Sequence, residues 1–99
     1  MPAALLAAIS NACGEPERRA GRVAEARRRS VPLVGGLCGF QGACGAAIGA
    51  GIFASIITGA TPLSTEAWSL SNGLAAEALG LVAAAGGPRC CKRDTFLSI

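Results

Sequence analysis

The stretch from Gly35 to Gly59, GGLCGFQGACGAAIGAGIFASIITG, constrains the fold more than any other part of the chain. It has no charged residue and holds two of the five cysteines, Cys38 and Cys44. From about Ala43 the pattern is helical. Cys44, Ile48, Ile52 and Ile56 form one i, i+4 row, with Phe53 and Ile57 beside it. Gly45 and Gly49 fall four apart, next to Ala46 and Ala50. Each glycine costs about 1 kcal/mol of helix propensity against alanine. Repeating that cost makes sense where another backbone must come close, so a buried central helix is expected.

An uncharged span of this length raises the question of a membrane. Small residues spaced four apart also occur in transmembrane helix pairs. Between Cys38 and Ile57, however, only six side chains are large and apolar. No Lys or Arg abuts either end, and there is no aromatic belt. The expectation is a helix buried in a soluble bundle, not a membrane span.

The flanking segments complete an all-α reading, and no period-2 run points to a strand. Pro2 to Asn11 is Ala/Leu-rich and predicts a short helix that Gly14 breaks. Pro16 opens a second helix to about Arg29, with Glu15 and Glu17 at its positive end and Val23 as its main apolar contact. Its arginines, Arg18, Arg19, Arg22, Arg27, Arg28 and Arg29, spread around most of the surface. This suits a solvated helix face; nucleic-acid binding would want interleaved aromatics or a reader motif, and neither is present.

After Ser30-Val31-Pro32 and Gly35-Gly36 comes a Gly-rich loop holding Cys38, then the central helix, which Thr58 to Pro62 ends. Ser64 or Thr65 is placed to cap the next helix, which runs to about Ala85. Trp68, Leu70, Leu74, Leu79, Leu81 and Val82 supply its apolar surface. Gly86-Gly87 stops it. Pro88 is expected to open a last short helix with Arg89, Cys90 and Cys91 in its first turn and Phe96, Leu97 and Ile99 to bury. The prediction is one domain over residues 1–99: a small all-α bundle with a Gly/Ala-rich central helix and a short C-terminal helix bearing Cys90-Cys91.

Such a core buries little area per residue, so a metal, a cofactor or a second subunit would help it. There is no histidine, which removes Ser-His and Cys-His catalysis and His metal ligands within the chain. The first residues lack the positive n-region of a secretory signal, so a cytoplasmic setting is expected. In that compartment cysteines more often bind metal or do redox work than form structural disulfides.

Four of the five thiols form a candidate site: Cys38, Cys44, Cys90 and Cys91. Arg89, Lys92 and Arg93 surround the last two and could bind an anion or stabilise thiolate. Helix N-termini and cations favour thiolate, the form that attacks disulfides and binds soft metals, so Cys44, Cys90 and Cys91 are the expected redox thiols. Cys38 and Cys44 are separated by five residues and Cys90 and Cys91 are adjacent, which disfavours a zinc knuckle and excludes Cys-x-x-Cys. Four thiolates could still hold an iron–sulfur cluster, zinc or another soft metal. Cys13, in the first helix, reads as a packing residue.

GGLCGFQGACGAAIGAG followed by GGPRCCKRD resembles the redox-active C-GCAxxG-C-C proteins. The chain is more similar still to an uncharacterised group, domain of unknown function family 5714. The hallmarks of that group match Cys38 to Gly49, Ser55 to Leu63, Trp68 to Asn72 and Gly86 to Asp94. The resemblance implies a redox or metal-binding role for Cys38, Cys44, Cys90 and Cys91. It also implies that the chain corresponds to the C-terminal part of a longer family domain. The leading expectation is a thiol-redox or metal-binding domain, served by a redox partner protein or assembled as a homo-oligomer. The alternatives are a non-catalytic assembly module and an accessory domain of a methyltransferase system.

Overall fold

A computed structural model describes residues 1–99. The chain forms α1 (Pro2–Ala12), α2 (Pro16–Ser30), α3 (Leu37–Phe40), α4 (Gly45–Thr58), α5 (Glu66–Ala85) and α6 (Cys91–Leu97), with no strand. It is a small all-α bundle built from two helical hairpins. α1 pairs with α2 and α4 with α5; α1 and α2 then pack on α4, and α6 seats on α4 and α5. No helix is long and apolar enough to cross a membrane.

α4 is the central element, but its isoleucine row is not the buried face. Ile48, Ile52 and Ile56 are half-buried, while Ala47, Gly49, Ala50 and Ala54 are buried. The close approach anticipated from the glycines falls at Gly49 and Gly51. A Cβ on Gly51 would stand 3.1 Å from the Ala75 Cβ and 3.2 Å from the Ser71 carbonyl of α5. A Cβ on Gly49 would stand 3.0 Å from the Pro2 ring of α1. Gly45, the first residue of the helix, faces open space instead. α4 ends on Gly59, whose φ of 66° is left-handed and suits a residue without a Cβ.

Small and polar groups fill the places where large side chains were expected. Cys44, Ala47, Ala50 and Ala78 form the central cluster, with Met1, Cys38, Ala46, Leu74, Leu79 and Val82 packed around it. Leu6 and Ser10 of α1 are fully buried. In α2 the buried contact is Ala26, with Val23 only half-buried. On α5, Ser71 and Ala78 face inward and Trp68, Leu70 and Leu81 face out. The reason is common to these helices: an interface narrow enough to bring backbones together has room only for small side chains.

Several arginines of α2 hold the bundle together. Arg22 bonds Ser10 of α1 at 2.9 Å and pairs with Glu15 at 2.9 Å. Arg19 reaches Asn11 at 3.1 Å. Arg29 bridges Glu25 and Ser55 of α4, the latter at 2.8 Å. The Arg28 and Arg29 guanidiniums hold the Glu25 carboxyl down to about 2.

Other local expectations shift as well. Thr65 is the N-cap residue of α5 but its side chain makes no capping bond, and Ser64 Oγ instead accepts from the Thr61 N–H at 2.9 Å. Cys13 is exposed at the end of α1, where the helix leaves the bundle.

Candidate functional site

The cysteines meet at one end of the bundle, where the starts of α4 and α6 flank α3. Cys38 lies in α3, a single helical turn, and not in a loop: the Gly39 and Phe40 amides both bond the Gly36 carbonyl at 3.0 Å. Cys44 is the N-cap residue of α4 and its carbonyl accepts the first bond of the helix, from Ile48 at 3.0 Å. α6 starts at Cys91, with Pro88 and Arg89 in the preceding turn. Cys90, at φ −143° and ψ 89°, is an extended N-cap, so helical geometry cannot begin at Pro88.

A cavity of about 330 Å³ opens at this junction. Cys38, Cys44 and Cys91 line it together with Arg89 and Asp94, and Leu33, Val34 and Leu37 supply an apolar wall. Cys90 is exposed and does not line it, and Lys92 is also exposed and outside. Of the four thiols singled out from the sequence, the fold therefore gathers three. All five cysteines are free thiols.

The three cavity thiols differ in setting. Cys91 is exposed at the mouth, and Arg89 Nε donates to its Sγ at 3.2 Å. Cys44 is buried, and its Sγ donates to Asp94 Oδ2 over a long 3.8 Å. Cys38 is half-buried between them and a second groove along the α5–α6 turn. The Cys91 sulfur, and after it the Cys38 and Cys44 sulfurs, hold the Arg89 guanidinium above its ordinary value. Arg89 thus touches the Cys91 sulfur and shares the cavity with Cys38 and Cys44.

Asp94 is the site residue that the sequence reading missed. It is 4% exposed, inside the first turn of α6. Arg93 neutralises it through Nε at 3.0 Å and Nη2 at 2.9 Å, and Nη2 also reaches the Gly86 carbonyl at 2.8 Å. Arg93 therefore serves the carboxylate and the end of α5, leaving Arg89 as the cation that faces the thiols. The available signal was spacing: Asp94 lies three residues after Cys91, on the same helical face.

The four predicted thiols are not gathered as one ligand set. No three Cys, Asp or Glu side chains converge on a common ligand position, and Cys90 does not line the cavity of the other three thiols. What the arrangement can do is separate two thiol roles, one beside a cation at the surface and one beside a carboxylate in the interior. No curated protein and no solved structure matches the chain. The likeness to the C-GCAxxG-C-C type rests on the cysteine motif alone. The model of a family of unknown function, DUF5714, matches residues 1–99, and the chain belongs to that family.

Proposed function

We propose that the domain carries out dithiol–disulfide exchange, with Cys91 as the attacking thiol and Cys44 as the resolving one. The observation that carries this reading is the Arg89–Cys91 contact of 3.2 Å at the mouth of a cavity also lined by Cys44 and Cys38. A guanidinium beside sulfur favours thiolate, the nucleophilic form. The Cys91 thiolate attacks one sulfur of a substrate disulfide, forming a mixed disulfide and expelling the other half as thiolate. Cys44 passes its proton to the Asp94 carboxylate and attacks the Cys91 sulfur. The Cys44–Cys91 disulfide forms and the second half of the substrate leaves as thiolate. The substrate gains two electrons and the protein loses two, so an external dithiol, supplied by a redox partner protein, must reduce the domain for the next turn.

The test is to treat the reduced chain with one equivalent of a disulfide and map the products by mass. A Cys44–Cys91 bridge is expected. Cys44→Ser should stall at a mixed disulfide on Cys91, Cys91→Ser should abolish reaction, and Cys90→Ser should retain it. A Cys91 that reacts no faster in the native chain than in the denatured one would remove this reading.

A separate observation supports assembly as a second reading. Phe40 and Leu63 are 91% and 95% exposed, and Phe96 and Ile99 also face solvent. Large apolar side chains so exposed suit contact with a second copy of the chain. Sedimentation of wild type and Phe40→Ser/Leu63→Ser tests it; a wild-type monomer at high concentration would end it.

A further inference from the structure

We infer that the cavity selects a low-molecular-weight disulfide whose short arm ends in an anionic group, and that Arg89 is the residue that recognises it. This deepens the exchange chemistry proposed above and rests on it. The charges within the cavity carry the inference. Only two formally charged side chains line it, Arg89 and Asp94. Asp94 is already matched by the two donors of Arg93. Arg89 gives Nε to Cys91 and makes no other side-chain hydrogen bond, so both of its Nη groups remain for a ligand. With its thiols protonated, the side chains lining the cavity thus carry one uncompensated positive charge, that of Arg89. A carboxylate matches that guanidinium with two parallel hydrogen bonds.

Size and walls point to the rest of the ligand. At about 330 Å³ the space is at the small end of small-molecule sites, enough for a short chain and too small for a folded edge of another protein. Leu33, Val34 and Leu37 face methylene groups better than they face polar arms. The chemistry itself strengthens the match. Before attack, the Cys91 thiolate shares Arg89. Once its electron pair has formed the new sulfur–sulfur bond, Cys91 carries no charge, and Arg89 is free for the anion on the arm now attached. The recognition therefore acts most strongly in the mixed disulfide, which holds the arm while Cys44 attacks.

The experiment is a single-turnover comparison with three disulfides of similar length: dithiodipropionate (anionic), bis(hydroxyethyl) disulfide (neutral) and cystamine (cationic). Each rate on the reduced native chain is divided by the rate on the chain in denaturant, which removes intrinsic reactivity. The expected order is anionic, neutral, cationic, with about a tenfold lead of the anionic over the neutral, the scale of one charge-assisted contact. Arg89→Gln should slow all three, because Cys91 loses its partner, but should also collapse the anionic-to-neutral ratio to near one. Arg89→Lys should keep part of the ratio. In the wild type the ratio should fall as salt rises. A native chain that reacts quickly with all three and without charge preference overturns the inference while leaving thiol exchange intact. A native chain that reacts with none overturns both.

Discussion

The α4–α5 interface and the seat of α6 are built on opposite principles. Along α4 and α5 the buried groups are small, alanine and glycine with Ser71, and the helices come close at Gly51, Ser71 and Ala75. Under α6 the buried groups are polar. Asp94 and Ser98 face inward, Ser98 Oγ bonds the Asp94 carbonyl at 2.8 Å, and Phe96 faces solvent. The first region is held by shape and tolerates almost no added volume. The second is held by a charge pair and hydrogen bonds, and depends on chemistry more than on volume. The cavity lies where they join, so a rigid wall bearing Cys44 faces a polar element bearing Cys91.

The contrast breaks most visibly at Gly51. Gly51→Val has nowhere to put its side chain and should cost about 2–3 kcal/mol, seen as a drop of roughly 10 °C or more in Tm. Loss of the polar seat comes next. Asp94→Ala removes the partner of Arg93 and the acceptor of Cys44, at about 1–3 kcal/mol in a denaturant titration. Asp94→Asn keeps the shape, so stability should recover partly while the Cys44–Cys91 bridge still forms slowly. Equal rates for Asp94→Asn and wild type would show that Asp94 only supports the fold.

Smaller changes sharpen the comparison. Gly80, in the same α5 helix, faces open space. Gly80→Ala should therefore stabilise by about 0.5–1 kcal/mol, the opposite sign to Gly51→Val. The smallest effect is the pH dependence of the α2 tie. The arginines depress Glu25 from 4.5 to about 2. Its contribution is thus complete above the ordinary carboxylate range and is lost as pH falls through about 2. The Tm difference between wild type and Glu25→Gln should be constant above pH 5 and close toward pH 2.

The helices were legible because punctuation marks them. Pro16, Gly59 and Gly86 stand at the boundaries that the sequence predicts, and the all-α class follows from the periodicity between them. α3 was not legible, since four residues around Gly39 carry no period. Which face of α4 turns inward was also hidden. Hydropathy favours the isoleucines, but interhelical distance, set by the whole bundle, favours the alanines. At the site, Cys38, Cys44 and Cys91 could be grouped from motifs, and Arg89 from its charge. Asp94 was harder to find: its spacing from Cys91 is the one signal, while an acidic residue in a basic run reads as solvated, and the fold shows Arg93 paired with it. Cys90 and Cys91 are neighbours in sequence, yet the start of α6 falls between them and only Cys91 lines the cavity.

The sparse core has a thermal consequence. The radius of gyration, 13.4 Å, is that of an ordinary domain of this length, yet only 12 of 99 residues are buried. Unfolding therefore exposes less new apolar surface than is usual for this length. The heat-capacity change should fall below the usual 12–15 cal/mol/K per residue. The urea m-value should be low for the same reason. Stability would then vary gently with temperature, a broad low dome in place of a sharp one, and the domain would lose little of its modest margin on cooling.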